Sequence, residues 1–459
     1  MLALSGNKYA KLTGAITVIG FAIGIVLIIT EGLGYFGSFT LPSAGVLLST
    51  DWVSLLFGVA VLTAALLVGL TASDYLKGSP NVAAFYSLLI FTTIGALLLT
   101  FASDLLMIFV AWELMSIPSY VLTGFKKKDP SSNEAAVKYF IISAFASAVL
   151  LYGISLVYLL SGTTNIYSIL SESSGYQPIA LLALTFVLAG FGIKLAAVPF
   201  HMWVPDAYQG APTVVSALLS TGTKLATFAP VARILFIIFA AKMFQADWSI
   251  TFAVLAVLSM TLGNFAALTQ KSITRILAYS SIGQSGYILI GFAAGDVAGL
   301  TGSFFHILNY SIMQAGAFLS AAIIIKLTGS ENLESFDGIG KRLKIAPMAL
   351  TLSLLALGGI PPLNGFWSKL VLFYSAIGAN LGWLAVIGII NSFVSVAYYV
   401  RIVKHMYIDT STVTTKIVES NGFKVALIIA SIVIVVIGVY PYPFIQFASI
   451  AASTFLAHG

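Results

Sequence analysis

Three lysines and one glutamate lie inside long apolar stretches, where a charged side chain is costly. The lysines are Lys194, Lys224 and Lys369, and the carboxylate is Glu113. A Lys or Asp at the centre of a bilayer costs roughly 2.5–3.5 kcal/mol, so each such residue requires a partner, a water-filled cavity or a function. Because burial disfavours the charged form of both groups, each can exchange a proton. The residue types therefore favour proton transfer.

A purely structural interpretation of these charges remains open at this stage. A fixed ion pair between Glu113 and one of the lysines would hold neighbouring helices together without moving protons. Arg233 is a fourth cation inside an apolar run. It is predicted to lie toward the outer end of its span, where a long basic side chain can reach the interface.

Two of the lysines adjoin sequences that break helices. Lys194 precedes the stretch 199–206, which contains two prolines, and Lys369 follows the stretch 358–365, which contains three glycines and two consecutive prolines. Proline removes a backbone donor and interrupts the hydrogen bonds of a helix. Lys224 instead follows small residues that let neighbouring helices approach closely. We therefore predict a helix break beside two of the three buried lysines.

The composition indicates that these stretches cross a membrane as helices. The chain of 459 residues is 59% hydrophobic and only 8% charged, against about 25% charged in a soluble domain. The apolar runs are about 20 residues or longer, as helices that cross about 30 Å of hydrocarbon require, whereas strands of a membrane barrel are about ten residues long. The fold class is therefore an all-α polytopic membrane protein.

The residue types also limit what the chain can bind. There are no cysteines and only four scattered histidines, so disulfides, iron–sulfur ligation, thiolate metal sites and haem attachment through cysteine are excluded. We expect no cofactor and no metal on this chain. The N-terminal residues lack a cleavage pattern, so the first apolar run is expected to be a retained span.

Apolar runs separated by polar breaks predict thirteen membrane-spanning segments. They are 12–30, 52–73, 82–101, 104–125, 134–160, 178–203, 213–239, 248–270, 273–293, 296–326, 346–376, 380–408 and 423–455. One alternating set of segment ends and loops holds 17 of the 22 Lys and Arg residues, and the opposite set holds only Lys242. Positive loops stay on the cytoplasmic side. The N-terminus is therefore predicted inside and the C-terminus outside.

The two proline-broken segments are the sixth and the eleventh, which suggests an internal repeat. Units of five segments place a broken helix fourth in each, and an odd number of segments gives the second unit inverted topology. The predicted organisation is N-terminal helices over 1–81, a first five-helix repeat over 82–240, a second over 248–408 and a C-terminal helix over 409–459. Broken helices in matching positions point to an ion site near the midplane.

Several motifs resemble one known family, the antiporter-like membrane-arm subunits of respiratory complex I. The likeness covers about residues 50–410 and is greatest to subunit N, since position 369 is a lysine and no long C-terminal lateral helix follows. The motifs are Trp112–Tyr120, Asn133–Phe140, Gly192–Trp203, Gly210–Thr213, Arg275–Ser281 and Gly359–Phe366.

The resemblance implies a proton relay through Glu113, Lys194, Lys224 and Lys369, the charges that stand out on physical grounds. His306 falls in the family's eleventh helix between two half-channels, where a bridging role and a hydrogen-bonded structural role are both open. The family usually has fourteen helices and an external N-terminus. Here the first helix is expected to be absent, either because it is lost or because the start codon is placed too late, which affects the peripheral N-terminal contacts but not the relay.

The function expected from this resemblance is proton translocation within an NADH:quinone-type oxidoreductase in the plasma membrane of a prokaryote. NADH or another donor, the iron–sulfur clusters and the quinone are expected on partner subunits, among other antiporter-like and small hydrophobic subunits. The main alternative is a subunit of a multisubunit cation/proton antiporter. A relative that uses another electron donor and a non-transporting scaffold are further alternatives.

Overall fold

Helices account for nearly all of the residues that the structure, a computed structural model, describes, namely 10–34, 47–79, 81–171, 177–240, 242–410 and 418–458. The helices in the first half are α1 (Ala10–Gly32), α2 (Trp52–Tyr75), α3 (Val82–Phe101), α4 (Leu105–Thr123), α5 (Pro130–Ser161), α6 (Gln177–Lys194), α7 (Trp203–Gly210) and α8 (Thr213–Ile238). Those in the second half are α9 (Lys242–Thr269), α10 (Ile273–Ala294), α11 (Val297–Thr328), α12 (Ile345–Gly358), α13 (Asn364–Gly378), α14 (Gly382–Tyr407), α15 (Asn421–Val439) and α16 (Tyr442–His458).

Eleven helices of the described chain are long and apolar enough to cross a membrane. Ten of them coincide closely with predicted segments, and the eleventh, α15, covers only the first part of the predicted segment 423–455. The other two predicted segments, 178–203 and 346–376, contain the predicted breaks, and the structure divides each of them into shorter helices. The all-helical membrane class is therefore confirmed.

Both predicted helix breaks are present. The first separates α6 from α7, and the second separates α12 from α13. Gly359 follows α12 with a φ of 82°, in the left-handed region that suits glycine, and Ala196 follows α6 with a φ of 57°. The chain therefore leaves the right-handed helical conformation directly after the first half-helix in both places.

Gly365 keeps the two halves of the second broken helix close together. A Cβ atom at this position would lie 1.8 Å from the carbonyl oxygen of Ala356, well inside van der Waals contact. No larger residue fits without moving α12 or α13. The break is consequently a packed feature of the fold, with the halves in contact across it.

The helix α11 occupies the centre of the bundle. It is 32 residues long and packs against α2, α10, α12, α13, α15 and α16. Most of its side chains from Gly299 to Ile324 are buried, including His306. Polar residues in this part of the helix therefore face protein.

The predicted single C-terminal helix over 409–459 is wrong. The structure has two helices there, α15 and α16, which meet at Tyr440 and Pro441. Proline disfavours helical geometry in the residue before it and donates no backbone hydrogen bond. The end of α15 lies beside the second break, where the Trp367 indole donates to the Gly438 carbonyl at 2.8 Å.

The interfacial position predicted for Arg233 is also wrong. Its side chain is fully buried and donates to both carboxylate oxygens of Asp51, at 2.7 and 3.0 Å. It also donates to the Thr100 carbonyl at 3.1 Å. Asp51 caps α2 by accepting from the Ser54 backbone N–H at 2.7 Å, so this one arginine joins the end of α8 to the start of α2 and the end of α3.

Replacing Arg233 by methionine is expected to lower the free energy of unfolding by about 3 kcal/mol, because it leaves the Asp51 carboxylate without its buried partner. Thermal unfolding of the detergent-solubilised chain measures this. Adding Asp51→Asn should recover part of the loss, since asparagine keeps the cap and removes the charge. A single Arg233→Met variant as stable as the wild type would contradict the assigned role.

Candidate proton-transfer site

Lys194 ends α6 in a buried aromatic cage. Its ammonium group donates to the hydroxyls of Ser116 and Tyr139, both at 2.9 Å. It also lies 5.5 Å from the ring centre of Trp112 and 5.7 Å from that of Tyr120, within the range of cation–π attraction. The lysine is only 2% exposed. Neutral groups on α4 and α5 therefore solvate this cation.

Glu113 lies on the same helix as the cage but reaches a different partner. The Ser147 hydroxyl on α5 donates to its carboxylate at 2.5 Å, and the Trp112 indole donates to that hydroxyl at 3.0 Å. The glutamate is half-buried. Trp112 contacts both Ser147 and Lys194, so it connects Glu113 to the cage through the Ser147 hydroxyl.

Lys224 lies in the middle of α8, directly after a π-helical turn over Leu219–Thr223. Its ammonium group donates to the carbonyl and the hydroxyl of Ser281 on α10, at 2.6 and 2.9 Å. The side chain is 2% exposed. A π-turn widens a helix locally and is frequent at functional sites. Lys224 thus follows a widened turn and contacts α10.

Lys369 reaches back across the second break. It starts from α13, yet its ammonium group donates to the Leu357 carbonyl near the end of α12 at 2.8 Å. It also donates to the Ser392 hydroxyl at 2.9 Å and lies 4.4 Å from the centre of the Tyr287 ring. The carbonyl end of a helix carries partial negative charge. Both breaks therefore present a helix C-terminus to a buried lysine, since Lys194 itself ends α6.

His306 is hydrogen bonded through both ring nitrogens. Nδ1 lies 2.9 Å from the Ser368 hydroxyl on α13, and Nε2 lies 3.1 Å from the Gln284 amide oxygen on α10. Ser368 is the residue before Lys369. The histidine is fully buried, and its two partners join α10 to the second half of the broken helix. A bridging position is consistent with these contacts, and so is a structural one.

The central part of α10 connects the two breaks, a role that sequence reasoning missed. The Ser285 hydroxyl donates to the Leu195 carbonyl after the first break at 3.0 Å. The Gln284 amide donates to the Leu357 carbonyl at the second break at 3.1 Å. Ser281, one turn earlier, accepts from Lys224. A run of four polar residues in six, Ser280–Ser285, was the available signal in the sequence.

The fixed Glu–Lys ion pair considered above is not formed. Within the described ranges, none of the ion pairs shorter than 4.0 Å includes Glu113, Lys194, Lys224 or Lys369. Each lysine is held by hydroxyl and carbonyl oxygens instead. A lysine with neutral partners can lose its proton without leaving a buried carboxylate uncompensated. The arrangement therefore suits a group that changes its charge.

Some buried polar atoms on α11 and α13 lack partners within the described part of the chain. They are Tyr310 Oη, Asn309 Nδ2, Asn364 Oδ1 and Gln314 Oε1. Asn364 donates to Asn309 at 2.9 Å, so two of these atoms come from one bonded pair. Buried polar groups without a protein partner are commonly satisfied by internal water.

Asp206, in the first turn of α7, forms ion pairs with two neighbouring helices. It accepts from Lys138 on α5 at 2.9 Å and from Arg275 on α10 at 3.0 Å. Lys138 also pairs with Glu134 at 2.7 Å, as the i,i+4 spacing predicts. These charges tie α7 to both neighbouring helices at one end of the bundle.

Comparison with known proteins agrees with this architecture. Residues 102–395 match the family described as "NADH:quinone oxidoreductase/Mrp antiporter, TM", which is well over half of the chain. The chain belongs to this family. The matched residues include Glu113, His306 and all three buried lysines.

Two similar proteins are both described as subunit N of an oxidoreductase or dehydrogenase. F(420)H(2) dehydrogenase subunit N of Methanosarcina mazei is 41% identical over 88% of this chain and 84% of its own length. NADH-quinone oxidoreductase subunit N of Heliobacterium modesticaldum is 40% identical over 86% of this chain and 83% of its own length. The resemblance to subunit N is therefore confirmed.

A solved structure shows the same fold. A chain of respiratory complex I from Thermus thermophilus superposes with a TM-score of 0.80 at 30% identity, covering 95% of this chain and 94% of that one. Nearly the whole length of this chain thus has a counterpart in that structure.

Proposed function

We propose that this chain is a proton-translocating membrane subunit of an oxidoreductase of the NADH:quinone type. The observation that carries the proposal is the set of three buried ammonium groups, each held by neutral oxygens. Membership of the family and the similarity to subunit N relatives support the same conclusion. Redox energy released on other subunits would drive protons through this one.

The proposed relay consists of Glu113, Lys194, Lys224, His306 and Lys369. Glu113 would adjust the charge of Lys194 through the Trp112–Ser147 contact. Lys224 would take up a proton from the cytoplasm, and Lys369 would release it on the other side. His306 and Gln284 would connect the two lysines, because Gln284 lies one turn from Ser281 and shares the Leu357 carbonyl with Lys369.

Two inverted five-helix repeats, 82–240 and 248–408, would supply the framework, with 1–81 before and the two C-terminal helices after. A matching backbone bridge supports them. Leu105 N–H donates to the Thr164 carbonyl and Ile166 N–H to the Ser103 carbonyl, at 2.8 and 3.1 Å. In the second unit, Ile273 donates to Glu331 and Leu333 to Lys271, at 2.9 Å each.

These bridges occupy equivalent places in the two units. Each joins the residues before the second helix to the loop after the third, and each loop contains the sequence Gly-x-x-Asn followed by Ile or Leu, beginning at Gly162 and Gly329. Both glycines end a helix with a positive φ. An internal duplication accounts for this coincidence directly.

The proposed topology has thirteen crossings, with the N-terminus in the cytoplasm and the C-terminus outside, in the plasma membrane of a prokaryote. Each broken helix counts as one crossing, and α15 with α16 as one bent crossing. The distribution of Lys and Arg supports this orientation. Lys126, Lys127 and Lys128 would then lie in a cytoplasmic loop.

The redox cofactors would reside on partner subunits. The chain has no cysteine to bind an iron–sulfur cluster. The relatives are named for different electron donors, F(420)H(2) in one case and NADH in the other. The donor of this complex is proposed to be NADH or a comparable two-electron donor, with quinone as the acceptor.

Gentle detergent extraction from the native membrane, followed by mass spectrometry of the co-purifying proteins, tests the assignment. We expect iron–sulfur and quinone-reducing subunits together with other antiporter-like subunits. Recovery of only small hydrophobic antiporter subunits would instead establish the alternative, a cation/proton antiporter driven by existing gradients. The family description names both kinds of complex.

A further inference from the structure

A cluster of one histidine and two aspartates lies apart from the relay. The His405 Nδ1 atom is 2.6 Å from Asp337 Oδ1 and 3.3 Å from Asp409 Oδ2. The three potential ligand atoms all lie within 4.8 Å of one another. The side chains are 22% to 27% exposed, so they are partly shielded yet reachable from water. Neither the proposed relay nor the break geometry uses any of them.

The backbone holds these three residues in place from two separate elements. His405 lies in the last turn of α14, and Asp409 follows that helix, with its N–H donating to the Lys404 carbonyl at 3.1 Å. Asp337 precedes Gly338, whose N–H donates to the His405 carbonyl at 3.0 Å. Asp337 and His405 are 68 residues apart in the sequence, and this main-chain hydrogen bond brings the two segments together. The ligand atoms therefore converge without a change of fold.

The donor set defines which cations suit the cluster. One imidazole nitrogen and two carboxylate oxygens match the borderline divalent metals, of which zinc is bound by His and Asp at about 2.0–2.2 Å. Two carboxylates also balance the charge of a divalent ion beside a neutral imidazole. Three protein ligands leave a coordination position for water.

The surroundings of the cluster resemble those of a supported metal site. The Lys404 ammonium group lies 3.4 Å from Asp409 Oδ1, the carboxylate oxygen that does not face His405. This ion pair holds the Asp409 carboxylate in place and leaves Oδ2 available to bind a metal ion. Outer hydrogen-bonding groups orient the ligands of metal sites in the same way. A cavity of about 370 Å³, lined by Gln270, Glu334, Arg401 and His405 among others, reaches the imidazole and gives hydrated ions a route to it.

We propose that Asp337, His405 and Asp409 form a binding site for a divalent transition metal of the zinc type. A bound ion would clamp the connection between α11 and α12 to the end of α14. This site is independent of proton transfer, and its test does not require a functioning complex.

Equilibrium dialysis of the metal-free, detergent-solubilised full chain against Zn²⁺ tests the proposal. We expect one zinc ion per chain, bound at micromolar concentrations, with affinity reduced at least about tenfold by His405→Gln or Asp337→Asn. Glu334→Gln is the matched control, since this carboxylate lines the same cavity without belonging to the cluster. It should leave the affinity unchanged.

X-ray absorption of the zinc-loaded wild-type chain provides a second measurement that needs no variant. The expected signature is a single imidazole together with oxygen ligands at about 2.0–2.2 Å. Absence of zinc binding at micromolar concentrations would overturn the proposal, and so would undiminished binding in a His405→Gln, Asp337→Asn double variant. The cluster would then be a histidine that holds two carboxylates by hydrogen bonding alone.

Discussion

Replacing Lys224 by methionine in the assembled complex is expected to abolish proton transfer through this subunit. Methionine has a similar length and fits an apolar site, but it neither binds nor releases a proton. Removal of a proton-transferring group typically costs on the order of 10²-fold in rate. Proton uptake per electron pair, measured in reconstituted vesicles, should therefore fall to the value that the remaining subunits support.

Lys224→Arg distinguishes proton transfer from a simple need for positive charge. Arginine keeps the charge and can still donate to the Ser281 carbonyl and hydroxyl, but a guanidinium stays protonated in proteins. We expect this variant to fail as well. Lys128→Met, at an exposed position in a loop, is the control and should pump normally. An unchanged proton-to-electron ratio in Lys224→Met would refute the relay.

The buried charges and the helix breaks could be predicted because their signals are local. A lysine within an apolar run is visible whatever the fold, and so are the consecutive prolines before Lys369. The physical reason is that lipid penalises any charge and any unpaired backbone group, so exceptions to apolar helical sequence stand out. The structure places Lys194 and Lys369 beside the two breaks, as the sequence indicates.

The partners of these charges could not be predicted in the same way. Arg233 and Asp51 are 182 residues apart, and Lys224 and Ser281 are 57 apart. Helix periodicity says which face is polar but not which helix it meets. For Arg233 the default expectation for a basic residue near a helix end was interfacial. The bidentate contact with a helix cap instead makes full burial possible.

In the C-terminal region, a proline indicates the division into two helices, but the continuous hydrophobicity of the run favours a single predicted segment. Pro441 lies within a 33-residue apolar run, 423–455. A prediction from hydrophobicity alone ignores the proline and treats the run as one segment. The length already exceeds the roughly 20 residues that one crossing needs. Length and proline together predict a division, and the structure has it between Val439 and Tyr442.

Replacing Gln284 by leucine is expected to disconnect the two halves of the relay while leaving the lysines in place. Leucine has a similar volume but cannot accept from His306 or donate to the Leu357 carbonyl, the two bonds at 3.1 Å that Gln284 makes. The carbonyl keeps its bond from Lys369, so the fold should survive. Proton flux through the subunit should fall at least about tenfold.

A double-mutant cycle with His306→Leu determines whether Gln284 acts through the histidine. If the two residues form one path, Gln284→Leu has little further effect once His306 is absent, because interacting residues are non-additive. Independent losses that multiply would contradict a shared path and assign His306 the structural role. Gln446→Leu, an exposed glutamine-to-leucine change on α16, controls for added hydrophobicity and should leave flux unchanged. A connection through Gln284 would also explain why α10 contacts both breaks.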